Sequence, residues 1–417
     1  MSLKLFSNKL SGDVYVPSSK SILHRAIICA SFAEEKSKIF FNGLSDDVIA
    51  TIEAMKNFGA KINLEENFIE IEGINRQKIK KQLNINCNES GSTLRFLIPL
   101  SIIIENEINF NGRGRLFDRP LFPYIEVFKK NNVFYKFSQN NLFLKGHINS
   151  GVYNINGDTS SQFISGMLMA LPLLDGESVI NVIGDLESKN YIDLTLDIIK
   201  KFGIVVENIN YKKFLIKGNQ KYSACEIEVE GDFSQAAFFI VANSIGNDIN
   251  IKNINYDTSL QGDKKAIDLI NFIDNSTENH LSIDAKDIPD IIPILSIKAA
   301  LSNKIINFYN VKRLRLKESD RLNGIEQILK NLGVNVKTDD NNLYVEGLNI
   351  ENNFKIFNSA KLSSLNDHRL AMTIAIASTA LKNNETFYID NESCVSKSFP
   401  TFWKTFAFLG GRYEHLG

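Results

Sequence analysis

The chain has no pair of cysteines close enough in sequence to suggest a zinc ribbon or a disulfide framework. Its four cysteines, Cys29, Cys87, Cys225 and Cys394, are scattered over 417 residues without a CxxC, as in a chain kept in a reducing compartment. Neither sign of charge is in surplus, since 47 Lys plus Arg against 48 Asp plus Glu leave a formal net charge of −1. A polyanion binder shows a basic surplus, so nucleic acid is not an expected partner, and any anion must be held in a local pocket. Long hydrophobic runs are also missing. No stretch reaches the roughly 18 apolar residues of a membrane span, and the opening MSLKLFSNKL lacks the apolar core of a signal peptide. A cytoplasmic location is expected. Neither GxGxxG nor GxxxxGK(S/T) occurs, which excludes the usual signatures of a dinucleotide fold and a P-loop. The five histidines show no metal-ligand spacing, and proline is scarce while Asn and Lys abound, a bias we read as genomic base composition.

What the chain does have is repetition. At this length two domains are expected, and 44% hydrophobic with 23% charged residues marks a soluble globular protein. One kind of segment opens on polar residues and turns strongly apolar: SKSILHRAIICASF, SGSTLRFLIPLSII, SSQFISGMLMALPLL, DFSQAAFFIVANSIG, IPDIIPILSIKAAL and DHRLAMTIAIASTAL, starting near 20, 90, 160, 232, 288 and 367. These predict buried helices. A second kind is amphipathic, as in DDVIATIEAMKNFGAKI and SDRLNGIEQILKNLGVNV, and predicts helices that cover a core with one face. Six of each alternate, which implies six copies of one α+β unit about 70 residues apart. Strand-like stretches such as FIEIEG, KFLIKG and NLYVEG lie between them. Six units divide into two domains of three, with chain crossings expected near 17–20 and 228–232. The leading strand LKLFSNKLSGDVYV is expected to complete the sheet of the other domain.

Positive charge recurs at the starts of the apolar helices. Ser, Thr and Asp there are ordinary caps, but a cation in the first turns opposes the helix dipole. Lys20 and Arg25, Arg95 and Arg369 all sit in or beside such turns. An anion bound at the helix start removes the penalty, because backbone N–H groups and cations then act together. Gly91 allows close approach of a ligand to the backbone. In LRLKESDR, Lys317 and Arg321 are read at i,i+4 on one helix face with Glu318 beside Lys317, although a solvated ion-pair helix has the same spacing. Asp290, among isoleucines and prolines in IPDIIP, is expected to have a raised pKa suited to proton transfer; helix capping is the alternative. His368, between Asp367 and Arg369, is given only an orienting role.

These segments resemble the 5-enolpyruvylshikimate-3-phosphate synthase family across essentially the whole chain. The matching stretches are PSSKSILHR, ESGSTLR, GRGRLFDRP, GDTSSQF, LESKNYIDLT, EGDFSQAAFF, IPD, RLKESDRL, NDHRLAM and SKSFP. The resemblance implies a two-domain inside-out α/β barrel in which each domain holds three βαβαββ units (α+β repeats) and the active site lies in the interdomain cleft. The domains are expected at 18–229 and at 1–17 plus 230–417. The implied reaction transfers the enolpyruvyl group of phosphoenolpyruvate to the 5-hydroxyl of shikimate 3-phosphate through a tetrahedral intermediate and releases phosphate. This is the sixth step of the shikimate pathway to chorismate, used in aromatic amino acid biosynthesis. Shikimate 3-phosphate is implied to bind Lys20, Ser21, Arg25, Ser160, Ser161, Gln162, Ser188, Tyr191, Asp290, Arg313 and Lys317. Phosphoenolpyruvate is implied to bind Lys20, Gly91, Arg119, Gln162, Arg321, Arg369 and Lys397. Asp290, Glu318 and Lys20 are the implied catalytic residues. No metal or cofactor is expected, a monomer is expected, and glyphosate is expected to inhibit in competition with phosphoenolpyruvate.

Some positions depart from the family's usual pattern. Ser18 stands where Gly is common, His24 where Asn is often found, Asn190 where Pro is common, and Arg313 where relatives often carry Asn. Two other readings compete. A UDP-N-acetylglucosamine enolpyruvyl transferase typically carries a cysteine in the loop matching NGRGRLFDRP, and here only Asp118 is offered. A non-catalytic phosphometabolite-binding protein should have lost Asp290, Glu318 or Lys20, and all three are present.

Overall fold

The alternation of apolar and amphipathic segments becomes an alternation of helices. The computed structural model describes residues 2–75, 79, 81–104, 107–350 and 354–416. Among them are twelve α-helices: α1 Lys20–Phe32, α2 Asp46–Phe58, α3 Gly91–Ile102, α4 Phe122–Lys130, α5 Ser161–Ala170, α6 Lys189–Lys201, α7 Phe233–Ser244, α8 Ala266–Asn275, α9 Ile292–Ala300, α10 Arg321–Asn331, α11 His368–Ala377 and α12 Phe402–Phe408. The odd-numbered helices are buried almost all round, and the even-numbered ones bury one face. Four odd-numbered helices start on a side-chain cap, with Ser90, Ser160, Asp232 and Asp367 accepting backbone N–H groups of the first turn. Helix α9 starts at Ile292, later than the sequence suggests. Pro289 disfavours helical geometry at Ile288, and residues 288–291 instead form a turn closed by Ile291 N–H on the Ile288 carbonyl at 3.2 Å. Asp290 therefore sits in a turn and is not a cap.

Helices α3, α5, α9 and α11 each connect two strands that pair in parallel, and α2, α4, α6 and α10 each lead to an antiparallel pair. The strands flanking α1 and α7 pair across, Ser11–Val14 with Asp248–Ile251 and Lys36–Phe40 with Glu226–Glu228. Gln82–Asn86 runs through α3 to Glu107–Asn111 in parallel. Asn141–Lys145 then pairs antiparallel with Glu107–Asn111, and Phe134–Ser138 with Asn141–Lys145. The side chains alternate, so that Leu83, Ile85, Ile108, Phe110, Leu142 and Leu144 form one apolar face under the helices. The same order, one parallel and two antiparallel pairings, recurs in four further four-stranded sheets, and a sixth sheet has two strands.

The described chain divides into two compact units, one running from Ser18 to Glu230 and the other formed by residues up to Pro17 together with those from Gly231 onward. Each has its own apolar core. The second junction falls one residue beyond the 229/230 expected, because Glu230 remains tied to the continuous unit by accepting from Ser19 N–H at 2.8 Å. Gly231 and Asp232 bond instead to the carbonyls of Asn253 and Pro17, both at 2.8 Å. The leading segment forms two strands in two sheets of the discontinuous unit, not one. Ser2–Phe6 lies between Thr386–Ile389 and Arg412–Leu416, and Ser11–Val14 pairs in parallel with Asp248–Ile251.

Candidate active site

In the continuous unit the starts of α1, α3 and α5 are tied together by polar side chains. Lys20, the first residue of α1, pairs with Asp47 at 2.8 Å. Asp47 also accepts Thr93 Oγ1 on its backbone carbonyl at 3.4 Å, which links α2 to the first turn of α3. Thr93 continues through Thr51 to His24 Nδ1, each step at 2.7 Å. Burial, with help from Lys20 and Arg25, lowers the His24 pKa well below its ordinary value, so the ring stays neutral. Gln162, the second residue of α5, accepts Arg95 Nη1 at 2.7 Å and donates to Ser92 Oγ at 2.8 Å. A Cβ on Gly91 would stand 2.9 Å from Arg119 Nη1, 3.7 Å from Arg95 Nη1 and 3.9 Å from Gln162 Oε1. Gly91 thus lets two guanidinium groups and an amide gather against the backbone at the start of α3.

Arg25 occupies the other side of this patch and is 2% exposed. It donates to Thr195 Oγ1 at 2.7 Å, to the Ser21 carbonyl at 2.7 Å and to the Tyr191 carbonyl at 3.1 Å, with Ser165 Oγ at 3.4 Å. All of these acceptors are neutral, and burial lowers the guanidinium pKa to about 10. A cation so placed favours an anionic ligand. Ser160 caps α5 and Ser161 opens it. Ser188 precedes α6 with a left-handed backbone, φ 57°, and is 1% exposed.

In the discontinuous unit, Arg321 is the hub. Its Nη1 meets Asp290 Oδ1 at 2.6 Å, its Nη2 meets Glu318 Oε2 at 2.6 Å, and its Nε meets Asp367 Oδ2 at 2.8 Å. Lys317 Nζ also reaches Asp290 Oδ1, at 3.1 Å. Lys317 and Arg321 do not share a helix face as the spacing implied. Lys317 has an extended backbone after a 3-10 turn at Lys312–Leu316, and α10 begins only at Arg321 behind an Asp320 cap. Asp290 is what brings the two cations together. Arg369, at the start of α11, donates to Ser234 O and Ser234 Oγ, both at 2.7 Å, while Asp367 Oδ1 accepts its N–H at 2.8 Å. Lys397 reaches the Asn366 carbonyl at 2.8 Å. Arg313 lies in the 3-10 turn ahead of Lys317.

The electrostatics correct one expectation. Burial opposes ionisation of Asp290, but Lys317, Arg369 and Arg321 outweigh it and hold its carboxyl well below the usual range. Asp290 is therefore ionised and not a raised-pKa acid. Burial lowers the Lys317 pKa, with Asp290 opposing. Burial also acts against the Arg321 charge, yet Asp367, Glu318 and Asp290 raise its pKa overall.

Sequence reasoning assigned no role to Asp47, Asp263 or the pair Asp232–Ser234. Asp47 reads as an ordinary acidic residue in the first turn of an amphipathic helix. Asp232 accepts Ser234 N–H at 2.9 Å and so fixes the serine that holds Arg369. Asp263 is 6% exposed, and burial pushes its carboxyl up to about 7. The flanking sequence SLQGDKK signals none of this. No cluster of three or more His, Cys, Asp or Glu suited to a metal occurs among the described residues.

The EPSP synthase (3-phosphoshikimate 1-carboxyvinyltransferase) family profile matches residues 6–406. A 3-phosphoshikimate 1-carboxyvinyltransferase from Clostridium perfringens is 45% identical over 420 residues, 97% of each chain. The one from Clostridioides difficile is 44% identical over 99% of this chain and 98% of its own. Among solved structures, EPSP synthase from Acinetobacter baumannii aligns over 99% of this chain and 100% of its own, with TM-score 0.80 and 21% identity. The enolpyruvyl transferase NikO from Streptomyces tendae aligns over 99% and 98%, with TM-score 0.78 and 13% identity. At those identities the structural likeness bears on the fold alone. The full-length profile match and the curated relatives decide the family, and the chain belongs to the EPSP synthases, the 3-phosphoshikimate 1-carboxyvinyltransferases.

Proposed function

We propose the following division of labour for the reaction of this family, in which phosphoenolpyruvate and shikimate 3-phosphate yield the enolpyruvyl ether and inorganic phosphate. The shikimate 5-hydroxyl oxygen forms a bond to C2 of phosphoenolpyruvate and gives up its proton, while C3 gains one. The resulting tetrahedral adduct then breaks its C2–O bond to phosphate and returns a proton from the new methyl group. Asp290 takes the hydroxyl proton. Glu318, bound to Arg321, and Lys20, bound to Asp47, serve the proton moving on and off C3. Shikimate 3-phosphate is held by Ser21, Arg25, Ser160, Ser161, Gln162, Ser188 and Tyr191 of the continuous unit and by Lys317 and Arg313 of the other. Phosphoenolpyruvate is held by Lys20, Gly91, Arg119 and Gln162, and by Arg321, Arg369 and Lys397, whose charges stabilise the departing phosphate.

The observation that carries the catalytic assignment is the ionised, partly exposed Asp290 fixed by two cations at 2.6 and 3.1 Å. A base must be unprotonated at working pH and held in place, which Asp290 is, although the same cations that fix it weaken its basicity. The neutral surroundings of Arg25 and the space at Gly91 support the two anion sites. Glyphosate, an anion with a phosphonate and a carboxylate, competes with phosphoenolpyruvate in this reading. The chain works as a cytoplasmic monomer. No helix among the described residues is long and apolar enough to cross a membrane.

The test is phosphate release from phosphoenolpyruvate with either shikimate 3-phosphate or UDP-N-acetylglucosamine as acceptor. Turnover is expected with shikimate 3-phosphate alone, competitively inhibited by glyphosate, and reduced about 10²–10⁴-fold in Asp290→Ala. Turnover with the sugar nucleotide alone would overturn the acceptor, and undiminished turnover in Asp290→Ala would overturn the base.

A further inference from the structure

Leu365 and Asn366 both have left-handed backbones, φ 49° and 57°, immediately before Asp367 and Arg369. Such a conformation is rare for a leucine, and two in succession persist only where the surroundings hold them. Leu365 N–H donates to Ser363 Oγ at 3.1 Å and Asn366 N–H to Ser364 Oγ at 3.3 Å, and both serines are in turn held by Asp390, next after the strand Thr386–Ile389. Its Oδ1 accepts Ser364 N–H at 2.7 Å and Ser364 Oγ at 2.9 Å, and its Oδ2 accepts Ser363 Oγ at 2.6 Å. The next residue, Asn391, donates Nδ2 to Asn366 Oδ1 at 2.7 Å. On the opposite side, Leu365 packs on α10 at Gly324, where a Cβ would lie 3.1 Å from Leu365 Cδ1.

Three cations bond to this turn or to the residue after it. The turn's second left-handed residue offers the carbonyl that receives Lys397 Nζ at 2.8 Å. The residue after it is Asp367, which caps α11 beside Arg369 and accepts from Arg321 at 2.8 Å and Ser319 at 3.0 Å. We propose that Asp390 is a positioning residue for Arg321, Arg369 and Lys397, acting through the Leu365–Asn366 turn to set their grip on phosphoenolpyruvate. The inference rests on the functional reading above. Asp390 itself is exposed and has no place among the substrate-binding groups. Without its carboxylate, Ser363 and Ser364 lose their shared acceptor and the left-handed pair relaxes. The Asn366 carbonyl then turns away from Lys397, and the Asp367 cap shifts with it. The described side-chain bonds of this turn run to Asp390, Asn391 and Lys397, on the side of the groups proposed for phosphoenolpyruvate, and the loss is expected there.

The experiment is steady-state kinetics of Asp390→Ala and Asp390→Asn, with each substrate varied in turn. Trp403, the chain's one tryptophan, donates Nε1 to the Glu392 carbonyl at 2.9 Å, so its emission reports whether the segment after Asp390 remains folded. In Asp390→Ala the KM for phosphoenolpyruvate is expected to rise about tenfold or more. The KM for shikimate 3-phosphate should stay within about twofold and the Trp403 emission should not shift. Asp390→Asn keeps one acceptor oxygen and should fall between; if the alanine variant does not fold, the same split in Asp390→Asn decides. An unchanged KM for phosphoenolpyruvate, or equal rises in both KM values, would overturn the positioning role. A wild-type chain inactive with shikimate 3-phosphate would sink the parent reading and this one with it. An active wild type with a normal variant sinks this one alone.

Discussion

Burial pushes the Asp263 carboxyl up to about 7, with Asp290 adding to the rise, Arg369 opposing it, and Asp232 and Lys317 acting more weakly in the two directions. An unfolded aspartate titrates near 3.9. Between about pH 4 and 7 the folded chain therefore keeps a proton that the unfolded chain releases, so this group's contribution to stability declines as pH rises through that window. Asp263→Asn removes the titration. Denaturant midpoints measured from pH 5 to 8 should fall in the wild type relative to this variant, and parallel curves would refute the assignment. Asp290 has the opposite sign, since its depressed pKa gives stability that is present above the unfolded value and lost as pH falls. The sequence showed Asp290 as a carboxylate among apolar residues, and the raised pKa expected from that setting has the wrong direction. The direction it takes depends on Lys317, Arg321 and Arg369, which only the tertiary fold brings to it. Asp263 was illegible for the same reason, because nothing near it in sequence buries it.

The apolar helices were legible as elements because periodicity and capping chemistry are local. Ser90, Ser160, Asp232 and Asp367 stand where a cap is needed. Where one element ends was less plain. KESDRL is compatible with helix throughout, and the break at Asp320 rests on its side chain accepting Asn323 N–H at 3.0 Å. Contacts between helices were not legible at all. Gly166 in α5 reads as a weak point in a helix, yet an added Cβ would meet the Arg95 carbonyl at 2.7 Å and Pro99 Cγ at 3.0 Å, both in α3. It would also collide with the Tyr124 hydroxyl, which bonds the Arg95 carbonyl at 2.7 Å. Backbone cannot give way as a flexible side chain can. Gly166→Ala is expected to cost about 1–3 kcal/mol of stability, read as a lower denaturant midpoint. It should also weaken phosphoenolpyruvate binding, because Arg95 and Gln162 lie on the two helices forced apart. A variant as stable as the wild type would show that α3 and α5 are less closely packed.

At the scale of the molecule, the two units have separate apolar cores, and the strand Ser2–Phe6 belongs to the core of the unit formed mostly by residues after 230. Leu3 and Leu5 are fully buried there. Leu5→Ala is expected to destabilise that unit by about 2–5 kcal/mol and to leave the continuous unit's unfolding transition in place. Calorimetry would then show one component moving and the other fixed; a single transition moving as a whole would mean that the units unfold together. The alternation of apolar and amphipathic helices was readable from the sequence, but the split of the leading segment into two strands was not, since its partners lie more than 200 residues away. The placement of Ser2–Phe6 between Thr386–Ile389 and Arg412–Leu416 has a consequence during synthesis. At about 5–20 residues per second, this strand waits tens of seconds on the ribosome for neighbours that are made so much later. Meanwhile the continuous unit, whose strands all lie between residues 36 and 228, emerges with every partner it needs. The nascent chain thus carries one finished half and an unpaired strand ahead of it, and a chaperone that shields that strand should raise the yield of the second half more than of the first.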